Sequence, residues 1–451
     1  MIRSTKVVVQ TLQTGSTLQP VIWLGEKYVR KHRIPDRISL RFGSRLHTVR
    51  VAPAPRLDGI RLNGAAAEGM GLASGDALRM QYRPGSNTLR LGPLIGVLMQ
   101  SIPGSAGRPL GSNTAFGQEL SLACRQYGGL AIFFASGDLP SDSTTIRAWV
   151  YRNGWRREEF PLPDVLYNRL TTRKTEQSAA VQRFIQMLKQ RYHAKVFNER
   201  FLDKHEVFDL LRQDAALRDL LPESHLLRNY ATLKTMCQKY PIVYLKPVRG
   251  SLGKGIIRII RQPDGYSCQY ATAAGTRTQK YAQLRKLFAS LSGKLKLQRY
   301  QIQRGLDLIR AGQRPMDFRA LVQKDKNGRW GITSIVGRIA GNQQFVSNVA
   351  RGGTMVPAID ALAKSNIRGQ KTAAHARLRE AALKIAHSLD QRVPEHFAEL
   401  GIDLAISSDG RVWLLEVNSK PAKNDNTPWM ENKIRPSLRQ IVLYSRHLCG
   451  L

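Results

Sequence analysis

Two acids and one amide near the end of the chain are spaced so that they could bind a cation together. The dipeptide Asp409-Gly410 tolerates positive φ at both positions and predicts a two-residue hairpin turn. Counting back from that turn places Asp403 directly opposite Glu416, and the alternation of strand side chains puts Asn418 on the same face. The pattern therefore predicts two carboxylates and an amide oxygen on one side of a hairpin.

This arrangement would favour a bound divalent cation. Carboxylates that face each other across two strands repel, and the apolar residues at the other strand positions would bury them and increase the cost. A hard cation removes that cost, and carboxylate and amide oxygens suit Mg²⁺ or Mn²⁺ better than zinc. We therefore predict metal ligands at Asp403, Glu416 and Asn418. The alternative is a solvated hairpin whose acids face water.

A glycine-rich segment earlier in the chain could bind phosphate. Residues 243–247 and 256–260 are typical of strands, and the segment between them, 249–255, carries three glycines. Glycines let backbone N–H groups approach a phosphate closely, and lysines add positive charge. A P-loop opens a helix, whereas this loop joins two strands, so it predicts a flap over a nucleotide or, alternatively, an ordinary hairpin turn. The residues of this candidate phosphate site are Lys246, Gly250, Ser251, Gly253, Lys254 and Gly255.

The net charge of +37 over 451 residues predicts attraction to polyanions. No helix-turn-helix, zinc finger, RNP or KH signature accompanies the charge, so nucleic-acid binding rests on charge alone and no partner is identified. No apolar run is long enough to span a bilayer, no secretory signal is present, and the four cysteines form no CxxC pair. We therefore expect a cytoplasmic protein with neither a zinc site nor a disulfide framework.

The length suits two or three domains, and near residue 92 the pattern changes from short strands with turns to alternating strands and helices. Residues 1–92 predict a small β-barrel or sandwich, with one hairpin turning at Gly43-Ser44 and a second over 78–91. Beyond that point, apolar runs at 94–98 and 130–134 predict buried parallel strands.

A glycine-rich loop is expected at 104–117, between those two strands, and the chain shows no internal repeat. Apolar residues at helical spacing predict helices later in the chain. These helices are expected at 176–192, 203–211, 373–389 and 435–447.

The order of these motifs resembles the ATP-grasp superfamily, and more closely its RimK-type glutamate ligases. Those enzymes carry a lysine–glycine flap, a D-[IF]-R strand, an F-x-[ST]-N-x-x-R-G-G stretch and a closing D…E-x-N metal set. The corresponding stretches here are the flap, residues 317–319, residues 345–353, and Asp403 with Glu416 and Asn418. Within the superfamily the chain looks most like the YheC/YheD proteins, described as endospore coat-associated.

The resemblance implies a mixed α+β or α/β fold in three parts. A β-rich N-terminal domain would span 1–92, a pre-ATP-grasp-like α/β domain 93–190, and the ATP-grasp domain 191–451. In that fold Lys246 and Lys204 would contact the phosphates of ATP, and Lys254 in the flap would assist. Gln303 would lie near the adenine hinge.

The resemblance also implies roles for the metal set and for three arginines. Asp403, Glu416 and Asn418 would hold one or two Mg²⁺ ions between the β- and γ-phosphates. The residues expected around the transferred phosphoryl group or the substrate carboxylate are Arg319, Arg338 and Arg351.

The function implied is an ATP- and Mg²⁺-dependent carboxylate–amine ligase that acts through an acyl phosphate. The alternative is a spore-coat assembly or polyanion-binding protein that binds nucleotide without ligase turnover. The acid and amine substrates do not follow from the sequence, although the basic surface suggests an acidic peptide or polymer. Spore-coat partners and a spore location follow from the resemblance only.

Overall fold

The computed structural model describes residues 4–12, 19–140, 143–249, 255–272, 275–341, 353–367, 369–422 and 434–451. These residues form a closed barrel followed by three sheets that are each accompanied by helices. The mixed α+β class expected from the sequence is confirmed. Among the described residues, no helix combines the length and the apolar character needed to cross a membrane.

The N-terminal part is a seven-stranded closed barrel. Its elements are β1 Thr5–Leu12, β2 Val21–Gly25, α1 Glu26–His32, β3 Arg37–Phe42, β4 Arg45–Ala54, β5 Ile60–Asn63, α2 Gly64–Ala67, β6 Ala77–Arg83 and β7 Thr88–Gly92. The strands close in the order β1-β5-β2-β4-β3-β7-β6. Both predicted hairpins are confirmed, since β3 pairs with β4 across Gly43-Ser44 and β6 pairs with β7. The order strand–helix–strand–strand occurs twice, over β2–β4 and β5–β7.

The second part is a six-stranded sheet of order β11-β10-β9-β8-β12-β13. Its elements are β8 Leu94–Met99, α3 Thr114–Tyr127, β9 Leu130–Ala135, β10 Thr145–Tyr151, β11 Trp155–Pro161, β12 Val165–Asn168, α4 Arg173–Glu176, α5 Ala179–Gln190 and β13 Lys195–Phe197. The predicted parallel pairing of β8 with β9 is confirmed. Because β13 pairs with β12, this sheet continues past the boundary expected at 190.

The loop expected at 104–117 is shorter than predicted, because α3 already begins at Thr114. Gly117 lies in the first turn of that helix, where a Cβ would come within 2.5 Å of Leu110 Cδ1 and 2.8 Å of Trp155 Cη2. The glycine therefore serves close packing of the helix, and its presence misled the loop prediction.

The third part, here called the central lobe, comprises residues 224–304. The elements from α6 to the end of the lobe are α6 Lys204–Arg212, β14 Ser224–Leu226, α7 Tyr230–Lys239, β15 Ile242–Pro247, β16 Ile257–Gln262, β17 Gly265–Thr272, β18 Gly275–Tyr281, α8 Leu284–Leu297 and β19 Tyr300–Arg304. The sheet order is β14-β19-β15-β16-β17-β18. Helices α7 and α8 cover one face through Leu233, Leu287 and Leu291, which pack with Ile259.

The fourth part is a sheet of order β23-β22-β21-β24-β25, with β20 paired to β21. Its elements are β20 Arg310–Ala311, β21 Arg314–Lys324, β22 Trp330–Ile339, β23 Thr354–Pro357, α9 Ala358–Ala363, α10 Lys371–Arg392, β24 Glu399–Ile406, β25 Val412–Asn418 and α11 Pro436–Cys449. Helices α9 and α10 bury one face of the sheet. Helix α11 packs against α3 and the second sheet, where Leu438 and Ile441 join Ile95 and Val97, and it also contacts β21.

The turn between β24 and β25 differs from the prediction. Ser407 pairs with Arg411, so three residues form the turn and Gly410 takes a φ of +83°. The register is therefore displaced by one residue near the turn, and a β-bulge between Leu404 and Asp403 displaces it back. Asp403 does lie opposite Glu416 as predicted, because the bulge compensates for the different turn.

The barrel, the second sheet and α11 meet at one buried ion pair. Asp164, whose side chain is fully buried, accepts hydrogen bonds from Arg90 Nη2 (2.8 Å) and from the backbone N–H of Leu94 (2.9 Å). Arg90 also donates from Nη1 to the carbonyl of Cys449 (2.9 Å). The carboxylate therefore holds the ends of three elements together.

Replacing Asp164 by alanine should destabilise the whole protein, because Arg90 would remain buried without its counter-charge. We expect a loss of about 3 kcal/mol, measured as a lower midpoint of thermal unfolding. The control is Arg30→Ala, which removes an exposed pair with Glu26 and should change stability by less than about 0.5 kcal/mol. Similar midpoints for the two variants would show that the junction contributes little.

Candidate active site

The face of the fourth sheet opposite α9 and α10 carries a row of charged side chains. The register pairs Arg338 with Asp317, Arg319 with Asp403, and Asp403 with Glu416 across four adjacent strands. Residues paired in this way project from the same face of a sheet. Sheet pairing alone therefore brings together five of the charged residues around the predicted metal site.

Asp403 is held by two arginines at the middle of this row. It is 6% exposed, and its two carboxylate oxygens accept hydrogen bonds from Arg319 Nε and Nη2. Arg338 Nη2 lies 3.0 Å from the same carboxylate, and Arg338 Nε donates to Asp317 (2.5 Å). Although burial opposes it, the two guanidinium groups keep the pKa of Asp403 below its usual value.

Glu416 has less compensation than its neighbour. The Nζ atom of Lys204, at the start of α6, lies 3.5 Å from Glu416 Oε2. Asn418 lies between Glu416 and Arg319, and its amide satisfies both when the nitrogen donates to Glu416 Oε1 (3.1 Å) and the oxygen accepts from Arg319 Nη2 (3.2 Å). Burial raises the pKa of Glu416 and Asp403 adds to that effect, whereas Lys204 and Lys246 oppose it.

Lys246 reaches this site from the central lobe. It lies near the end of β15 and donates from Nζ to Gln303 Oε1 (2.5 Å) on β19. Burial, opposed by Glu416 and reinforced by Lys204, lowers the pKa of Lys246 to about 8. The Nε2 atom of Gln303 is buried and has no hydrogen-bond partner among the described residues. A buried amide donor in that state favours a ligand with an acceptor atom at this place.

Several predicted residues lie outside the described part of the chain. These are Gly250, Ser251, Gly253, Lys254 and Arg351. Gly255, the last residue of the predicted flap, is described and has a φ of +74°. The two strands predicted on either side of this segment are confirmed as β15 and β16, which pair antiparallel.

The charges on this face change the argument for a metal ion. Four cations, Arg319, Arg338, Lys204 and Lys246, already surround the carboxylates, so the repulsion inferred from the sequence is largely relieved without a metal. In the described residues no three His, Cys, Asp or Glu side chains are grouped as a metal site.

The donor chemistry nevertheless fits Mg²⁺. The ion binds proteins through one or two carboxylates and takes its other ligands from water and substrate phosphates. The Glu416 carboxylate, whose charged form is disfavoured by burial, suits that role. The amide oxygen of Asn418 accepts from Arg319 when its nitrogen faces Glu416, so Asn418 stays a predicted ligand. Both oxygens of Asp403 are engaged by arginines in this structure, so its role as a metal ligand remains a prediction.

Two buried hydrogen-bonded junctions, which the sequence analysis missed, fix the end of β25 against the start of α6. Ser419, 2% exposed, accepts from the N–H of Leu202 (3.0 Å) and donates to the carbonyl of Arg200 (2.9 Å). Asn198 is fully buried with a φ of +53° and donates to the carbonyls of Ser419 and Glu399. Ser419 follows Asn418 directly, and Leu202 lies two residues before Lys204.

The second junction is ionic. Lys420 and Glu176 form a buried ion pair, and the Glu176 carboxylate also accepts from the N–H of Phe201 (2.9 Å). Burial lowers the pKa of Lys420 to about 8, and its Nζ atom lies 4.6 Å from the centroid of the Phe201 ring. Together the two junctions fix the position of Lys204 relative to Glu416. The only signal in the sequence was the position of Ser419-Lys420 directly after the E-x-N motif.

Ser419→Ala should lower both stability and the site's activity. It leaves the buried N–H of Leu202 without a partner, which costs about 1–3 kcal/mol, and it loosens Lys204 relative to Glu416. Thermal unfolding should show a lower midpoint than in the control Ser290→Ala, whose hydroxyl is exposed and bonds only the carbonyl of Leu287 (2.7 Å). Equal midpoints for the two variants would contradict the role given to Ser419.

Comparison with known proteins identifies the family. A family model described as YheC/D like ATP-grasp matches residues 193–448. The endospore coat-associated protein YheD of Bacillus subtilis (strain 168) is 30% identical over 340 residues, which are 75% of this chain and 74% of YheD. Endospore coat-associated protein YheC of the same organism is 24% identical over 311 residues, 68% of this chain and 85% of YheC.

A structural match is more distant. The ATP-grasp ligase PsnB, solved with a minimal precursor, aligns with a TM-score of 0.45 and 14% identity over 78% of this chain and 99% of PsnB. That likeness is too low to carry an inference about this chain. The family model covers more than half of the chain, and YheD is 30% identical over three quarters of it, which confirms the resemblance inferred from the motifs. The chain therefore belongs to the YheC/D-like ATP-grasp family.

Proposed function

We propose that this protein is an ATP- and Mg²⁺-dependent ligase that joins a carboxylate to an amine through an acyl phosphate. The observation that carries the proposal is the convergence of Lys246 and Gln303 from the central lobe on the row of Asp403, Glu416 and their arginines. Positive charge with an unsatisfied buried donor suits a nucleotide phosphate chain, and the oxygen ligands beside it suit its metal ion.

Each residue has a role that follows from its surroundings. Lys246 and Lys204 would bind phosphate oxygens. Glu416 and Asn418, with Asp403, would hold Mg²⁺, which when bound neutralises charge on the phosphates. Arg319 and Arg338 are fixed in place by carboxylates before any substrate arrives, so they can stabilise the transferring phosphoryl group without reorganising.

The reaction would proceed in two steps. An oxygen of the substrate carboxylate attacks the γ-phosphorus of ATP, the bond to the β-phosphate oxygen breaks, and ADP leaves. The amine then attacks the acyl carbon and inorganic phosphate departs, with one proton lost from the amine. A cleft of about 770 Å³ opens beside Asp203 and Arg249 and is lined by charges of both signs, but none of the residues given roles in the reaction lines it, so it does not identify the substrates.

The setting of this activity is also a proposal. YheD and YheC are called endospore coat-associated, and we propose a spore-coat setting, with coat proteins as partners, for this chain as well. The substrates would include an acidic peptide or polymer, because the protein carries a net charge of +37.

One observation favours a second candidate. Both oxygens of Asp403 are held by arginines, which leaves Glu416 as the carboxylate of this row with the least engagement by cations. The second candidate is a nucleotide-binding protein of coat assembly that does not turn ATP over.

Glu416→Ala should abolish Mg²⁺-dependent ATP hydrolysis and leave the fold intact, because it removes the carboxylate least engaged by cations. ADP release would be measured with and without pools of amino acids and acidic peptides. The control is Glu380→Ala, which removes an exposed helical pair with Lys384 and should leave turnover unchanged. Turnover in Glu416→Ala equal to that of the unaltered protein would refute the metal assignment, and ATP binding without turnover under every condition would support the second candidate.

ATP affinity should fall as the pH rises through about 8, because Lys246 loses its charge there. Above pH 8 the apparent Kd should rise by up to about ten-fold per pH unit, whereas Lys246→Arg should give a nearly flat profile to pH 9.5. The folded pKa lies below the unfolded value, so the unfolded chain binds more protons between pH 8 and 10.5. This residue's contribution to stability therefore rises with pH, and unfolding linked to Lys246 cannot explain the loss of affinity. A profile for the unaltered protein that matched Lys246→Arg would contradict the role of Lys246.

A further inference from the structure

Positive charge is distributed unevenly, because the ratio of basic to acidic residues is much higher in the central lobe than in the whole chain. Residues 224–304 contain sixteen Lys and Arg and one acidic residue, Asp264, although the whole chain has 70 basic and 33 acidic residues. Lys246 accounts for one of these cations through the site described above. Most of the others lie away from that site.

Six of the twelve exposed cations in the described part of the lobe lie on β18 and α8, which are adjacent in sequence and in contact. All six of the residues below are exposed, and none forms an ion pair with a residue that the structure describes. We call them the basic surface: Arg277, Lys280, Arg285, Lys286, Lys294 and Lys296.

The shape of α8 leaves this surface open to an extended chain. Its buried side packs through Leu284, Leu287 and Leu291. On the exposed side, between the pairs of cations at each end, lie small residues that include Ala289 and Gly293. An added Cβ at Gly293 would meet no atom within 4 Å. A polymer backbone can therefore lie close to the helix between the two groups of charges.

Strand β18 supplies a second feature, an open sheet edge. It is the last strand in the sheet order, and residues 277–280 are exposed. An edge strand presents unpaired backbone N–H and C=O groups to which an extended peptide can hydrogen-bond. Its cations, Arg277 and Lys280, disfavour pairing with a second copy of β18 and favour an acidic strand.

The aromatic residues argue against nucleic acid as the occupant. Single-stranded nucleic acids bind through bases stacked on exposed aromatic rings. Every Tyr and Phe among the described residues of the lobe is buried or half-buried. Arg285 lies over Tyr230 and Lys294 lies over Tyr270, so two rings beside the basic surface already contact its cations.

We propose that β18 and α8 form a docking surface for an acidic polypeptide, which extends along the β18 edge with its carboxylates against the six cations. The surface is separate from the phosphate-binding lysines, so this inference holds whether or not the protein turns ATP over.

The test is binding of fluorescein-labelled poly-L-glutamate at 150 mM salt, followed by fluorescence anisotropy. One variant changes all six cations of the basic surface to Gln. The matched control changes six exposed cations of the barrel to Gln, namely Lys27, Arg30, Lys31, Arg33, Arg37 and Arg50. The first should weaken binding by about ten-fold or more and the control by less than about three-fold. Unchanged ATP affinity in both variants would show that they are folded.

Three results would overturn the proposal. If both variants weakened the binding of poly-L-glutamate equally, net charge alone would explain the binding. Binding of a single-stranded or duplex oligonucleotide as tight as that of poly-L-glutamate, lost in the same variant, would assign the surface to nucleic acid. Hydrogen exchange should also slow at residues 275–281 when poly-L-glutamate binds, and unchanged exchange there would exclude strand addition at this edge.

Discussion

Burial of the Asp403 carboxylate is the constraint on which the rest of the site depends. An ionised carboxylate in the interior of a sheet is unstable unless it is paired and hydrogen-bonded. Here Arg319 and Arg338 provide the pairing from the two strands on one side, which leaves Glu416 on the other side as the less compensated acid. The same interaction therefore holds the arginines ready for a phosphoryl group and leaves negative charge where a cation would bind.

This row of charges can act on a nucleotide only if the lysines from other parts of the chain lie at fixed positions beside it. Lys204 comes from α6 and Lys246 from the central lobe, so neither is placed by the pairing of the fourth sheet. For Lys204 the buried bonds of Ser419 and Asn198 meet that need, since they join the residue after Asn418 to the segment that leads into α6. Fully satisfied buried polar groups of this kind specify one arrangement, because any displacement leaves a donor or acceptor unpaired.

The sequence predicted the parts of the site that depend on local pattern. Counting back from the predicted turn placed Asp403 opposite Glu416, because the error in the turn and the unpredicted bulge cancelled. It was not sufficient to predict that arginines already neutralise Asp403, because that contact joins strands 84 residues apart. The role of Asn198 could not be predicted for the same reason. Its hydrogen-bond partners lie more than 200 residues away, and no periodic pattern in the sequence indicates such contacts. Gly117 led to the wrong prediction that the loop extends to residue 117, because its small size allows close packing against Trp155 and does not indicate a flexible chain.

The net charge of +37 therefore describes two physically different populations of cations. Arg319 and Arg338 are buried against carboxylates, where salt screens their interactions weakly. The cations on α8 and β18 are exposed to solvent, where the Debye length of about 8 Å at physiological ionic strength limits their reach. Raising the salt concentration should consequently release a polyanion from the lobe at concentrations that leave the charged row intact. Composition alone assigns both populations to one property, and only their burial and pairing separate an organised reaction site from a surface that attracts a partner.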